Sequence, residues 1–172
     1  MFKSIGIKLK NRKTLKAGSS RENLSYDKAK TAAILVKDFD KNVKTVDSVM
    51  KELKKDGLNV SLITYTKPKA PLPSVKVTNQ CTSKDWNWLG SIKSEEIKKI
   101  IKTPFDYLFC LNTSPFLPFE NILVQSAAKC RVGIYHPKME NSLDLMITPT
   151  NQDNMEKTAS EMLRYVRMIK KY

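Results

Sequence analysis

The chain has 172 residues, 41% of them hydrophobic, and its 31 basic and 17 acidic residues give a formal net charge of +14. This length predicts one domain with room for an appended arm, and the apolar content excludes a wholly disordered chain. The positive charge excludes the class of acidic proteins that mimic an anionic binding partner. It favours anionic partners such as nucleic acid, an anionic membrane surface or phosphorylated molecules.

We expect no membrane-spanning segment, because the sequence has no run of about 20 apolar residues. The basic N-terminus also lacks the apolar stretch of a secretory signal. Cys81, Cys110 and Cys130 are widely spaced and form no CxxC pair, and His136 is the single histidine. A structural zinc site usually needs four such ligands close together. We therefore expect no metal or cofactor, and interpret the cysteines as reduced thiols of a cytoplasmic protein.

The positive charge is concentrated at the N-terminus. Residues 1–30 carry nine basic and two acidic side chains, which is half of the net charge. This predicts a basic N-terminal arm over residues 1–25, followed by one α/β domain over residues 26–172. The candidate contacts of this arm with an anionic partner are six basic residues: Lys8, Lys10, Arg12, Lys13, Lys16 and Arg21.

Two local structures suit the arm. The alternation of Ile5, Ile7 and Leu9 with glycine and lysine is typical of a strand. A helix would instead place Phe2, Ile5 and Leu9 on one face, with lysines around the rest. The sequence leaves both structures open.

The first part of the domain predicts a β-α-β unit. Thr31–Lys37 is apolar almost throughout, as in a strand that is buried on both faces. Apolar residues at helical spacing over 43–53 predict a helix that ends at Gly57. Residues 58–65 predict the second strand, parallel to the first and connected by a right-handed crossover.

The rest of the chain continues this alternation. Residues 66–93 predict a long loop with a short edge strand at 75–77, and Ser94 is expected to cap the helix that follows. The remaining predicted elements are strands at 105–111, 131–135 and 143–147, a helix over 115–129, and a final helix capped by Thr150 or Asn151. Five strands alternating with four helices predict a three-layer, doubly wound, mostly parallel α/β sheet of the Rossmann-like type.

In such a fold, ligands bind beyond the carboxyl ends of the strands. The candidate residues at this edge are Asp38 and Asp40 after the first strand, Asn112, Thr113 and Ser114 after the third, and His136 after the fourth. Each also has a structural interpretation, since Asp, Asn, Thr and Ser commonly cap helices and a loop histidine is commonly solvated. The turn after the first strand has no glycine and the chain has no phosphate-binding lysine loop, so the sequence contains no nucleotide-binding motif.

One nucleophilic arrangement is conceivable from the residue types present. His136 could activate Cys110 or Cys130 if the fold placed them together. A solvated histidine is the simpler interpretation, and we expect no catalytic residue.

Trp86 and Trp88 flank Asn87 in the long loop, near Lys84 and Lys93. Aromatic rings beside basic groups can stack on single-stranded bases. Indoles also bury large apolar areas, so either tryptophan could instead cover the edge of the core. The sequence does not decide which tryptophan is exposed.

Four segments carry a resemblance to known proteins: KDWNWLG at 84–90, FDYLFCL at 105–111, Ala-Ala-Lys at 127–129 and Arg-Val-Gly at 131–133. Together they resemble a small family of uncharacterised proteins from Bacteroidetes bacteria, over nearly the whole chain. The resemblance implies a basic N-terminal helix before an α/β domain, and it implies no activity.

FDYLFCLN, followed by a helix and AKCRVG, is similar to the N-terminal domain of heptosyltransferase-type glycosyltransferases, with Asp106, Lys129 and Gly133 at matching positions. This similarity implies a Rossmann-like fold. The chain departs from those enzymes because Asp38-Phe39-Asp40 stands where they have a Gly-Asp turn, and because its length leaves no room for their second domain. We therefore expect no transferase activity.

The favoured function from sequence is a non-enzymatic basic protein that contacts RNA or the ribosome through its arm. A peripheral protein at an anionic membrane surface is the alternative, since Phe2, Ile5 and Leu9 could lie on lipid. A degenerate glycosyltransferase-like binder of a small ligand is a further alternative.

Overall fold

A computed structural model describes residues 2–17, 25–66, 79–148 and 154–169. The helices are α1 (Phe2–Ala17), α2 (Phe39–Lys55), α3 (Glu95–Lys102), α4 (Leu117–Gln125) and α5 (Met155–Arg167). The strands are β1 (Thr31–Lys37), β2 (Asn59–Tyr65), β3 (Asn79–Cys81), β4 (Tyr107–Cys110), β5 (Cys130–Ile134) and β6 (Leu145–Ile147).

The strands form one sheet in the order β3-β2-β1-β4-β5-β6, and every neighbouring pair is parallel. The predicted α/β class with a parallel sheet is confirmed, but the described sheet has six strands and the prediction of five is wrong. The extra strand is β3, a three-residue edge strand whose sequence, Asn-Gln-Cys, has no apolar run. The edge strand predicted at 75–77 lies outside the described residues.

Helices cover both faces of the sheet. Along β1, Ala32, Ile34 and Val36 belong to a core cluster shared with α2 and α5. The alternate residues Ala33 and Leu35 belong to a second cluster shared with α1, α3 and α4. Because successive strand residues point to opposite faces, one continuous apolar run supplies both cores.

The connections leave β1 in opposite directions. The chain passes from β1 to β2 and β3 on one side, and it returns to β4 and β5 on the other. The carboxyl ends of β1 and β4 therefore lie side by side where the strand order reverses, which is the place where open α/β sheets commonly bind ligands.

Two helix boundaries differ from the predicted ones. The helix predicted over 115–129 is confined to α4, because beyond Gln125 the backbone N–H of Ala127 donates to Ile101 O at 2.8 Å instead of continuing the helix. α5 is capped by Asn154, whose Oδ1 accepts from Lys157 N at 3.0 Å, and not by Thr150 or Asn151, which lie outside the described residues. Ser94 caps α3 as predicted, accepting from Ile97 N.

The N-terminal segment adopts the helical alternative and packs on α4. Ile7 and Asn11, one turn apart on the inner side of α1, are 5% and 1% exposed. Ile5 and Leu9, on the outer side, are 51% and 56% exposed. The division into an arm of residues 1–25 and a domain of 26–172 stays a prediction, but α1 contributes Ile7 to the same cluster as Leu35.

Two glycines allow α1 to approach the domain. A Cβ on Gly6 would overlap the Trp88 carbonyl, and a Cβ on Gly90 would overlap the backbone of Gly6 and Ile7. Gly90 also has a φ of 79°, in the left-handed region that glycine adopts without strain. The helix backbone therefore rests directly on the turn at 88–90.

Gly6→Ala tests this contact. Alanine stabilises an ordinary helix by about 1 kcal/mol relative to glycine. Here we expect a net loss of about 1–2 kcal/mol in the free energy of unfolding, because the added methyl group has no room. Urea denaturation of Gly6→Ala and of the exposed control Ser4→Ala measures the difference. A Gly6→Ala protein at least as stable as the wild type would contradict the close contact.

Candidate functional site

The carboxyl edge of β4 and β5 brings four predicted ligand residues together. Asn112, Thr113, Ser114 and His136 line one cavity of about 20 Å³. A cavity of this size holds about one water molecule. These residues are therefore neighbours in the structure, but the space they enclose is too small for an organic ligand.

Asn112 and His136 each have a structural role at this edge. Asn112 Oδ1 accepts from the backbone N–H of Lys37 at 3.1 Å and thereby ties β4 to the end of β1. His136 Nδ1 accepts from Lys138 N at 3.1 Å and caps the short 3-10 helix Pro137–Met139. The expected capping of α4 by residues 112–114 is wrong, because the residue in the cap position is Phe116.

Asp38 lies apart from this cavity, at the start of α2. Its backbone is left-handed, with φ 52° and ψ 49°, a conformation that aspartate tolerates better than most residues. Its side chain makes no capping hydrogen bond within the described structure, and Oδ2 lies 3.7 Å from Lys37 Nζ. The side chain of Asp40 is outside the described part of the chain.

The cysteine–histidine pair does not form. Cys110 lines the same cavity as His136, but burial raises the pKa of its thiol to about 12, so the thiol is protonated near neutral pH. Cys130 lies opposite Tyr107 in the β4–β5 strand pairing, at the amino end of β5, whereas His136 follows the carboxyl end of that strand. Among the described residues, no three His, Cys, Asp or Glu side chains cluster closely enough to hold a metal ion.

Asp106 and Lys129, two of the glycosyltransferase-like positions, lie at the opposite, amino-terminal edge of the sheet. Asp106 Oδ2 accepts from Lys30 N at 2.8 Å and from Thr31 N at 3.0 Å. Asp106 Oδ1 accepts from Lys129 Nζ at 2.9 Å. Burial by itself would raise the pKa of Asp106, but these hydrogen bonds outweigh it and hold the pKa below its usual value. The Asp106–Lys129 ion pair thus connects the amino ends of β1, β4 and β5. It does not lie at the carboxyl edge of the sheet, where a ligand would bind.

The two tryptophans have different environments. Trp86 is 1% exposed, and its Nε1 donates to Asn121 Oδ1 at 2.9 Å. Asn121 Nδ2 in turn donates to Asn11 Oδ1 at 2.7 Å, which links the loop, α4 and α1. Trp88 is 67% exposed. One tryptophan is therefore part of the core and the other is on the surface.

The outer side of α1 and the turn at 88–90 form a mixed basic and apolar surface, called the α1 face below. Its members are exposed in the structure: Ile5, Lys8, Leu9, Arg12, Lys13, Trp88 and Leu89. Lys10 is half-buried, while Arg21 and the side chain of Lys16 are outside the described residues. Leu89 was not predicted from the sequence as a member of this surface. The signal for it is the pair Gly6 and Gly90, which allows the turn to lie against the helix.

The Asp106 hydrogen bonds predict a specific pH dependence. Because the folded pKa is below the unfolded value of about 3.9, the ionised carboxylate contributes stability that is complete above about pH 5 and is lost as the pH falls through the folded pKa. Asp106→Asn should lower the free energy of unfolding by about 1.5–3 kcal/mol at neutral pH. The difference in the free energy of unfolding between Asp106→Asn and the wild type should become smaller towards pH 3. Urea titrations across this range measure it, with the exposed Glu156→Gln as control; a gap that does not change with pH would contradict the role of the charge.

The comparisons with known proteins agree with the extent of this fold. No curated protein sequence matches the chain. A model of a protein family matches residues 3–169, which takes in α1 as well as the whole described sheet. The chain therefore belongs to that family, the family of unknown function DUF6913.

Proposed function

We propose that the protein is a non-enzymatic binding protein that docks on an anionic membrane surface through the α1 face. The observation that carries the proposal is the exposure of four large apolar side chains in one place. Ile5, Leu9, Trp88 and Leu89 are 51%, 56%, 67% and 54% exposed, and Gly6 sits on the turn that carries the last two.

Basic groups surround these apolar side chains. Lys8, Arg12 and Lys13 are exposed on α1, and the helix sequence contains no acidic residue. Cations near an anionic lipid surface contribute about 1 kcal/mol each, and apolar side chains add to this when they enter the headgroup region. Such a surface supports reversible docking on the cytoplasmic leaflet, whose lipids are anionic. None of the helices in the described ranges is long and apolar enough to cross a bilayer.

RNA, including ribosomal RNA, is the second candidate partner, and the exposed Trp88, with exposed Lys84 and Lys93 in the same loop, favours it. An exposed indole between cations can stack on an unpaired base. The lipid proposal accounts for more of the surface, because Ile5, Leu9 and Leu89 are aliphatic and offer no ring for stacking. The glycosyltransferase-like alternative has less support, since the Asp106–Lys129 pair lies away from the ligand edge.

Vesicle flotation tests the proposal with the full chain. We expect binding to phosphatidylglycerol-containing vesicles, little binding to phosphatidylcholine alone, and weakening by salt. Leu89→Ser removes apolar area without changing charge and should weaken binding about tenfold. Arg12→Gln should weaken binding and reduce its salt dependence.

The control variant is Met168→Ser. Met168 is 65% exposed but lies at the end of α5, so its loss should leave vesicle binding unchanged. If Leu89→Ser and Met168→Ser had equal effects, the α1 face would not be the docking surface. If the protein bound single-stranded RNA and no vesicles, and Trp88→Ser abolished RNA binding, the RNA function would replace the proposed one.

A further inference from the structure

A groove of about 400 Å³ opens between α1 and α4, beside the carboxyl end of β2. It lies on the inner flank of α1, on the other side of that helix from Leu9. The lining residues that matter are Ser4, Ile7, Tyr65, Ser83, Trp86 and Phe116. The volume is within the range of about 300–1,000 Å³ that is common for small-molecule sites.

Aromatic rings set at steep angles line the groove. The rings of Tyr65 and Phe116 are 4.6 Å apart between centroids and inclined at 76°. Phe119 packs edge to face behind both, at 6.4 Å from Tyr65 and 5.2 Å from Phe116. Trp86 is held in place by its hydrogen bond to Asn121. A flat ring entering the groove would therefore meet rings that neighbouring contacts already fix.

The polar groups of the groove are hydroxyls. Burial raises the pKa of Tyr65, and a hydrogen bond with the Ser83 side chain offsets part of that rise, so the two hydroxyls adjoin. Ser4 adds an exposed hydroxyl from α1. The described residues that line the groove include no charged side chain. Lys37 Nζ lies 5.0 Å from the centroid of the Phe116 ring but does not line the groove. The walls themselves thus suit a neutral ligand with a hydrogen-bonding edge.

We propose that this groove binds a neutral, flat aromatic ring that carries a hydrogen-bonding group on its edge. The ring packs against the half-buried rings of Phe116 and Tyr65, and its polar edge bonds to the hydroxyls of Tyr65 and Ser83. The site lies at the carboxyl side of the sheet, where α/β folds commonly bind ligands. The proposal does not depend on membrane docking, since it uses the inner flank of α1 and not the α1 face.

Aromatic contacts give this site a measurable selectivity. Each edge-to-face or offset ring pair adds binding free energy beyond that of the buried area. Two such pairs correspond to an affinity about tenfold higher for an aromatic ring than for a saturated ring of similar size. An aliphatic chain would gain no such preference. The ratio of affinities for matched probes therefore reports on the rings of the groove.

Ligand-detected NMR titration of the full chain tests the proposal with three probes: indole, cyclohexylmethanol and decanoate. We expect indole to bind about tenfold more tightly than cyclohexylmethanol. Equal binding of the two would overturn the proposal. Tightest binding of decanoate, if Ser4→Trp abolishes it and Leu9→Trp does not, would assign the groove to an acyl chain and also overturn the proposal.

Two variants locate the binding. Ser4→Trp places a large side chain at the groove mouth from an exposed position, and it should abolish indole binding, whereas Leu9→Trp on the outer side of the same helix should not. Phe116→Leu should reduce the preference of indole over cyclohexylmethanol while retaining an apolar wall. Melting temperatures identify variants that fail to fold. Unchanged indole binding in folded Ser4→Trp would exclude the groove, whatever the vesicle experiments show.

Discussion

Two buried hydrogen bonds hold α1 and the loop that carries Trp86 against α4. The Trp86 indole donates to Asn121, and Asn121 donates to Asn11. Both asparagines are at most 1% exposed, so their amide groups are desolvated in the folded protein. A buried polar group left without a partner costs about 1–3 kcal/mol. Asn121 thus favours the one arrangement in which α1 and the loop both contact α4.

This arrangement separates two sides of a single short helix. The inner side of α1 meets the core through Ile7 and Asn11, and it lines the aromatic groove. The outer side keeps Ile5 and Leu9 in solvent among basic residues. The contrast explains why a sequence with so few apolar residues in α1 still has a defined orientation: backbone contact at Gly6 and amide pairing at Asn11 replace a broad apolar stripe.

The sheet was predictable because its central strands are buried on both faces. In β1 the apolar run is unbroken, so no competing pattern existed. β3 was missed because an edge strand of three polar and small residues carries no periodic signal. The sequence also did not predict which of Trp86 and Trp88 is buried, since Asn121, the hydrogen-bond partner of Trp86, lies 35 residues further along the chain. Asp106 was found only as a resemblance, because hydrogen bonding to backbone N–H groups leaves no pattern in sequence.

The hydrogen bond between Asn11 and Asn121 joins residues 110 positions apart. Contacts of such long sequence separation form slowly, because the entropy lost on closing the long loop must be spent before the contact contributes. During synthesis, α1 is made before α4, and residues 18–116 lie between the helix and its docking site. The segment of α1 is therefore without its docking site while those residues are made, and the inner side with Ile7 and Asn11 stays uncovered until α4 follows.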